Sequence, residues 1–351
     1  MKLASTALSL LLIAPPAHDG GPGEPLSLVP ACEPGLELGL RSTARWAAEL
    51  DDVLVGSLGL EQPLPIHMEA AVEVSEAREE RVLEVADGRP SSLQVEVTER
   101  TASLTLLGQE PGRDDLEIEE DLELSPHGRT LRLESAEGGG VRVEELVDRE
   151  DEPGEEAGAE AGEELEEAHV RHWRLAPHFA HLLPAAPVEV GQPFELDGQW
   201  AGELGAGEVR QLADAVHGRS HMDGPAIAAS AAWVLEELEL EGHGVVTAVE
   251  DGVAVIEYEF EGAFDVEDLV EMLAAADPPG EGGAGPPEGA FGTASGKVSL
   301  GGEGRFDLRA RQLVELELEG DFTVDVVLDV GVRSAATVAG ELAYSAAIEV
   351  R

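Results

Sequence analysis

The residues best equipped for chemistry stand together. His169, His172, His178 and His181 fall within thirteen positions, in the segment HVRHWRLAPHFAHLLP. Within each pair the spacing is i, i+3, which on a helix would offer two imidazole nitrogens to one metal such as zinc. His217 and His221 form a further i, i+4 pair beside Asp214 and Asp223. Several features oppose a metal site. Pro177 and Pro184 interrupt any long helix. Arg171 and Arg174 put positive charge inside the cluster, where a cation would be repelled. There is no H-E-x-x-H pattern and no cysteine nearby. Trp173, Leu175, Phe179, Leu182 and Leu183 mark a segment that packs with apolar side chains. The reading is that no metal is bound and that these histidines offset neighbouring acid. The four clustered histidines stay as the metal candidates.

Other chemical motifs fail on their geometry. Gly292–Lys297, GTASGK, imitates a phosphate loop. It has three residues between its glycines instead of four, and Val298 follows the lysine where Ser or Thr is needed. Ser220, His221 and Asp223 are too close in sequence to converge as a triad, whose members come from separate elements. There is no G-x-S-x-G motif. Acids are so many that no pair stands out as an acid/base couple. No catalytic residue and no cofactor are assigned, and the chain is expected not to be an enzyme.

Composition bounds the rest. The 351 residues carry 73 acids and 22 bases, a formal charge of −51. Such a surface repels nucleic acid and anionic membrane, whose binding needs basic patches. It suits a salty milieu, where charges are screened beyond about 8 Å at physiological ionic strength. Hydrophobic residues make up 43% and aromatics 4%, so the core is aliphatic. Residues 1–17 have a basic start, a short apolar stretch and a small residue at Ala17, which reads as a secretory signal peptide. Nothing later reaches transmembrane length, so the protein is expected to be secreted or periplasmic and not integral to a membrane. The lone Cys32 allows no internal disulfide. LVPAC vaguely resembles a lipoprotein cleavage box, but Gly and Pro separate it from the apolar stretch, which argues against lipidation.

Periodicity places the elements. Residues 18–34 are leader by composition, and residues 35–147 form an N-terminal β segment. Leu36 to Leu50 alternate over a length that should bend or bulge. RVLEVADGRPSSLQVEVTER reads as a hairpin turning at Asp87-Gly88, with Leu83 and Val85 on the same face as some of Leu93, Val95 and Val97. A strand starts at Leu116, and another hairpin sets Leu131 and Leu133 opposite Val141 and Val143. Residues 148–168 are an acidic linker with no calcium-loop pattern. Residues 169–351 form a C-terminal β segment, with a strand starting near Val188 and short helices at residues 206–218 and 265–278. A sharp turn falls at Asp251-Gly252, and Ile256, Tyr258 and Phe260 share a face. In the closing meander Phe306, Leu308, Val314, Leu316, Leu318, Phe322, Val324, Val326 and Leu328 face inward. The wet face carries Arg305, Asp307 and Arg309 on one strand and Glu315, Glu317 and Glu319 on the next, and opposite charges on neighbouring strands support antiparallel pairing. The fold class expected is mainly β: antiparallel meanders forming a curved sheet or open barrel, with a few short helices.

VADGRP, GRTLRLESAEGGGVRV, LLPAAPVEVGQPFELDGQW and GEGRFDLRARQLVELELEGDF together carry a resemblance. Over most of residues 36–330 the chain resembles a group of uncharacterised secreted bacterial β-rich proteins, with Phe194 where that group often has Trp. More distantly it resembles the open-barrel lipoprotein carriers. The resemblance implies a curved sheet and says little about function. Two functional classes are expected: a binder or carrier of an apolar small molecule or lipid, held on the concave aliphatic face, or a structural or interaction module of the cell envelope without a small ligand. An acidic cation-binding surface is a third, weaker reading.

Overall fold

Long stretches of apolar–polar alternation are realised as long strands. The computed structural model describes residues 25–146 (except 58–59, 65–66, 87–88, 110–115, 125 and 136–140), 179–197, 238–270 (except 268) and 290–351 (except 330–331). The acidic linker, residues 206–218, and His169, His172, His178, His217 and His221 lie outside the described residues.

The strands are β1 (Glu37–Ser57), β2 (Leu60–Leu64), β3 (His67–Ala86), β4 (Arg89–Gln109), β5 (Leu116–Glu123), β6 (Arg129–Ser135), β7 (Val141–Glu145), β8 (Pro193–Asp197), β9 (Glu239–Glu250), β10 (Val253–Val266), β11 (Phe291–Asp307), β12 (Gln312–Asp329) and β13 (Arg333–Val350). They form one open, antiparallel 13-stranded sheet in the order β7-β6-β4-β3-β1-β13-β12-β11-β10-β9-β8, with β2 on β1 and β5 on β4. The first strand pairs with the last, from Leu38↔Val350 to Gly56↔Arg333, so both β segments share a single sheet. The length of β1 is absorbed by a register shift between Asp51 and Leu54.

Turns follow their residue chemistry. Asp251 (φ 53) and Gly252 (φ 84) both take positive φ, as a two-residue type I′ hairpin requires. Asp307 ends β11 by accepting hydrogen bonds on Oδ1 from the backbone N–H groups of Arg309 (2.7 Å) and Ala310 (2.8 Å).

Five expectations change, the first two through a local break in alternation. Val82 pairs with Leu93 and Glu84 with Ser92, leaving Leu83 as an extra residue. Val82 therefore takes the buried place expected of Leu83. Likewise Arg305 pairs with Glu315 and Phe306 with Leu313, leaving Val314 extra. Leu313 is 1% exposed and fills the position expected of Val314. A bulge inserts one residue and reverses the facing of all that follow. In the β6–β7 hairpin Val143 does oppose Leu133, but Leu131 opposes Glu145 and Val141 opposes Ser135. Val188 makes a single bridge to Leu26 and does not start a strand. β10 continues through Asp265 to Val266, so Asp265 is strand and not a helix cap.

The two faces differ sharply. The apolar face carries Ile256, Tyr258 and Phe260 from β10, Leu316 and Leu318 from β12, and Ala346 and Ile348 from β13, all buried. Aromatic rings on this face lie over glycines of adjoining strands. Phe260 covers Gly242, Phe194 covers Gly244, Phe264 covers Gly296 and Tyr258 covers Gly304. Glycine has no Cβ to obstruct the ring, which explains how so few aromatics pack so well. Gly302, Gly320 and Gly340 fall on a diagonal across β11, β12 and β13, where a Cβ would strike the neighbouring backbone. Such glycines let a sheet bend sharply toward the face on which the Cβ would stand, here the apolar one.

The lower end of the apolar face is covered by two short segments. Leu26 and Val188 exchange backbone hydrogen bonds of 2.7 and 3.0 Å. Leu26, Leu28, Phe179, Leu182 and Leu183 are buried in the core with β10–β13. Gln312 Nε2 donates to the carbonyl of Ala31 at 2.9 Å, and Arg311 Nε donates to Val29 at 3.2 Å. Residues 25–31, within the span read as leader, thus belong to the folded core.

Candidate functional site

Of the metal candidates, His181 alone is described. It sits in a 3-10 turn, Ala180–Leu182, edge-on to Phe179 with ring centroids 6.4 Å apart. Among the described residues no group of three or more His, Cys, Asp or Glu is placed to hold a metal ion. The GTASGK stretch is the start of β11, so Lys297 stands on a strand.

The polar face holds an open trough of about 1100 Å³. Its rim includes Glu49, Glu241, Glu261, Asp321 and Glu341, with Lys297 among them. Lys297 is the one lysine of the described residues. The trough is open and five of its fifteen lining residues are acids, so it is not the apolar cavity expected of a carrier.

The apolar face divides into a packed and a half-open region. Phe306 and Leu316 are 0% exposed and are plain core. Toward the opposite end the burial falls away. Register aligns Trp46 (β1) with Val72 (β3), Leu104 (β4) and Leu342 (β13). The next rows bring Ala48, Ala70, Leu106 and Gly340, then Leu50, Met68 and Val338. All of these are only half-buried. Phe322 and Val324 of the closing meander belong to this half-buried region too.

Sequence reasoning missed a polar feature at the base of that region. Glu76, Arg78 and Glu80 alternate on β3 and point to the apolar face, where Arg100 of β4 joins them. Arg78 Nη1 lies 2.8 Å from Glu76 Oε1, and Arg78 Nη2 lies 2.7 Å from Glu80 Oε1. Arg100 Nε lies 3.3 Å from Glu76 Oε2. Arg100 is 0% and Glu80 5% exposed. Burial by itself lowers the Arg78 guanidinium, but the carboxylates of Glu80 and Glu76 outweigh it and hold the group above its ordinary value. The signal that could have found this network is SEAREER. Its acid–base–acid run has period two, in phase with Val74 and Val82.

Charges on the apolar face cluster on one side. Among the described residues, register assigns to it Glu76, Arg78 and Glu80 (β3), Arg100 (β4), Glu120 (β5), Arg129 (β6) and Glu145 (β7). The same face of β9–β13 and β1 carries none between residues 38 and 50, 240 and 266, 292 and 306, or 316 and 350.

Comparison with known proteins names no family. No family model matches the chain, and no curated protein matches. Among solved structures, lipovitellin, in a study of its lipid–protein interactions, aligns at 9% identity and a TM-score of 0.36. That alignment covers 90% of this chain and 25% of the other, so the chain spans a quarter of lipovitellin's length. An outer membrane channel from Pseudomonas putida F1 aligns at 8% identity and a TM-score of 0.21, covering 94% of this chain and 99% of that one. Scores this low carry no inference about function. The fold class rests on the strands themselves: mainly β, antiparallel, curved and open. No helix among the described residues is long and apolar enough to cross a membrane.

Proposed function

We propose that the protein is a non-enzymatic β-sheet binder of an apolar ligand, acting outside the cytoplasm. The ligand lies on the half-open part of the apolar face. The observation that carries this reading is the contiguous half-buried surface of Trp46, Val72, Leu104, Val338 and Leu342 on four neighbouring strands. A surface of this kind costs free energy in water and marks a binding face when it is extended. The compartment follows from the signal-like residues 1–17 and the charge of −51.

A structural or interaction module without a small ligand is the second reading. The filled core around Phe306 and Leu316 favours it.

One experiment separates the two. Protein purified without detergent is extracted with organic solvent, and the extract is analysed by mass spectrometry. A stoichiometric apolar compound supports the binder. Leu104→Ala with Val338→Ala should then release it while leaving the fold intact. Leu316→Ala should instead cost about 2–5 kcal/mol of stability, as core truncations do. An empty extract, together with failure of the wild type to take up any long-chain compound, would leave the structural module.

A further inference from the structure

One acid stands in the half-open surface itself. The β5 segment LEIEEDLE turns Ile118, Glu120 and Leu122 to the apolar face, because strand side chains alternate. Register sets Glu120 opposite Leu104, in line with Val72, Trp46 and Leu342. That is the row where the half-buried surface begins. The row on its other side, Leu122–Ala102–Val74, is buried and separates Glu120 from Arg100 and Glu76.

Glu120 differs from the other acids described nearby on this face. Glu76 and Glu80 each meet the Arg78 guanidinium. Glu120 meets no cation. Among the described residues, register puts no Lys, Arg or His on this face of β1, β3, β4, β5 or β13 in its row or the next two. The side chain is half-exposed, yet Oε2 is shut off from solvent and has no hydrogen-bond partner among the described residues. A carboxylate oxygen so placed carries a desolvation cost that a charged donor would offset.

Charge then decides what can lie beside it. An anionic headgroup is repelled. A plain hydrocarbon covers the carboxylate and leaves it unpaired. A cationic N–H group balances the charge and donates the missing hydrogen bond. From Glu120 the row crosses β4, β3 and β1 to Leu342 of β13, roughly 19 Å at about 4.8 Å per strand. That leaves room for a hydrocarbon chain lying over the half-buried surface with its polar end at β5.

We propose that Glu120 receives the headgroup on this surface and that the ligand is a cationic amphiphile, a hydrocarbon chain ending in an ammonium-type group. This rests on the apolar-ligand reading above and names the chemistry of that ligand.

The test uses the full chain and three probes of equal chain length: decylammonium, 1-decanol and decanoate. Affinities are measured by calorimetry below the concentrations at which the probes aggregate. Salt at about 0.15 M screens the general charge of the chain beyond about 8 Å. Decylammonium should bind about tenfold more tightly than decanol, and decanoate more weakly than both. Glu120→Gln keeps the shape and should bring decylammonium to within about twofold of decanol. Glu119→Gln is the control. It removes the same charge from the adjacent exposed position on the polar face and should leave the preference intact. Decanol should bind the wild type and both variants alike, which reports an intact fold and apolar site. If the wild type shows no preference for decylammonium, the headgroup assignment is wrong although the apolar site stands. The same holds if the preference survives Glu120→Gln or falls equally in Glu119→Gln. If none of the probes binds the wild type, the binder reading itself falls, and this assignment with it.

Discussion

Phe260 of β10 lies across Gly242 of β9, so closely that a Cβ on Gly242 would overlap the ring at Cδ1 and Cε1. The two residues are direct partners in the register. Gly242→Ala should therefore overpack the core and cost about 1–3 kcal/mol. Gly301→Ala is the control, because the nearest atom to its Cβ stands at an ordinary 3.6 Å. Its effect should stay within about 0.5 kcal/mol. Urea midpoints of the two variants decide the matter, and equal losses would show that the ring moves aside.

Tyr258 is 1% exposed, and its hydroxyl has no hydrogen-bond partner among the described residues. Removing an unsatisfied buried hydroxyl relieves a desolvation cost, so Tyr258→Phe should be neutral or stabilising by about 1 kcal/mol at pH 7. Burial pushes the phenol up from its ordinary 10.0. The folded state therefore holds this proton more tightly than the unfolded chain does. Its contribution is fully present below pH 10 and is lost as pH rises above it. Chemical denaturation between pH 7 and pH 11 should show the wild type losing more stability than Tyr258→Phe. Parallel curves would mean the hydroxyl is solvated.

On the polar face Glu257, Glu303 and Glu317 stand directly opposite one another across β10, β11 and β12. Like charges in such register destabilise a sheet, and salt screens them. The melting temperature should rise from low salt to about 1 M sodium chloride, where the Debye length is about 3 Å. Glu303→Gln should raise it at low salt and flatten the salt response. A flat curve for the wild type would contradict the reading.

Leu28 is 1% exposed and sits in the main core beside Leu26 and Leu182. Leu28→Ala should cost about 2–5 kcal/mol, the range for core leucines. Changing the nearby exposed Val29 to alanine should cost little. Thermal melts of the pair measure whether residues 25–31 are integral to the fold. A silent Leu28→Ala would make them a detachable strap.

Much of this molecule is local and therefore legible in sequence. Alternation with period two marks Ile256, Tyr258 and Phe260 as one face, because strand side chains alternate whatever the partner. Asp251-Gly252 announces its turn because few residues tolerate two positive φ values. The acidity of the polar face is written in composition. What tertiary structure alone decided depends on partners far along the chain. Bulges at Leu83 and Val314 reverse alternation, and a bulge exists only relative to the strand opposite. The pairing of β1 with β13 makes one sheet of two segments, and it joins residues some three hundred positions apart. Leu26 and Leu28 become core because Val188, Arg311 and Gln312 receive them. Glu76, Arg78, Glu80 and Arg100 look like surface charges in a strongly acidic chain. Burial of a charge is decided by what surrounds it, and for these four the surroundings exist only once β3 is paired between β4 and β1.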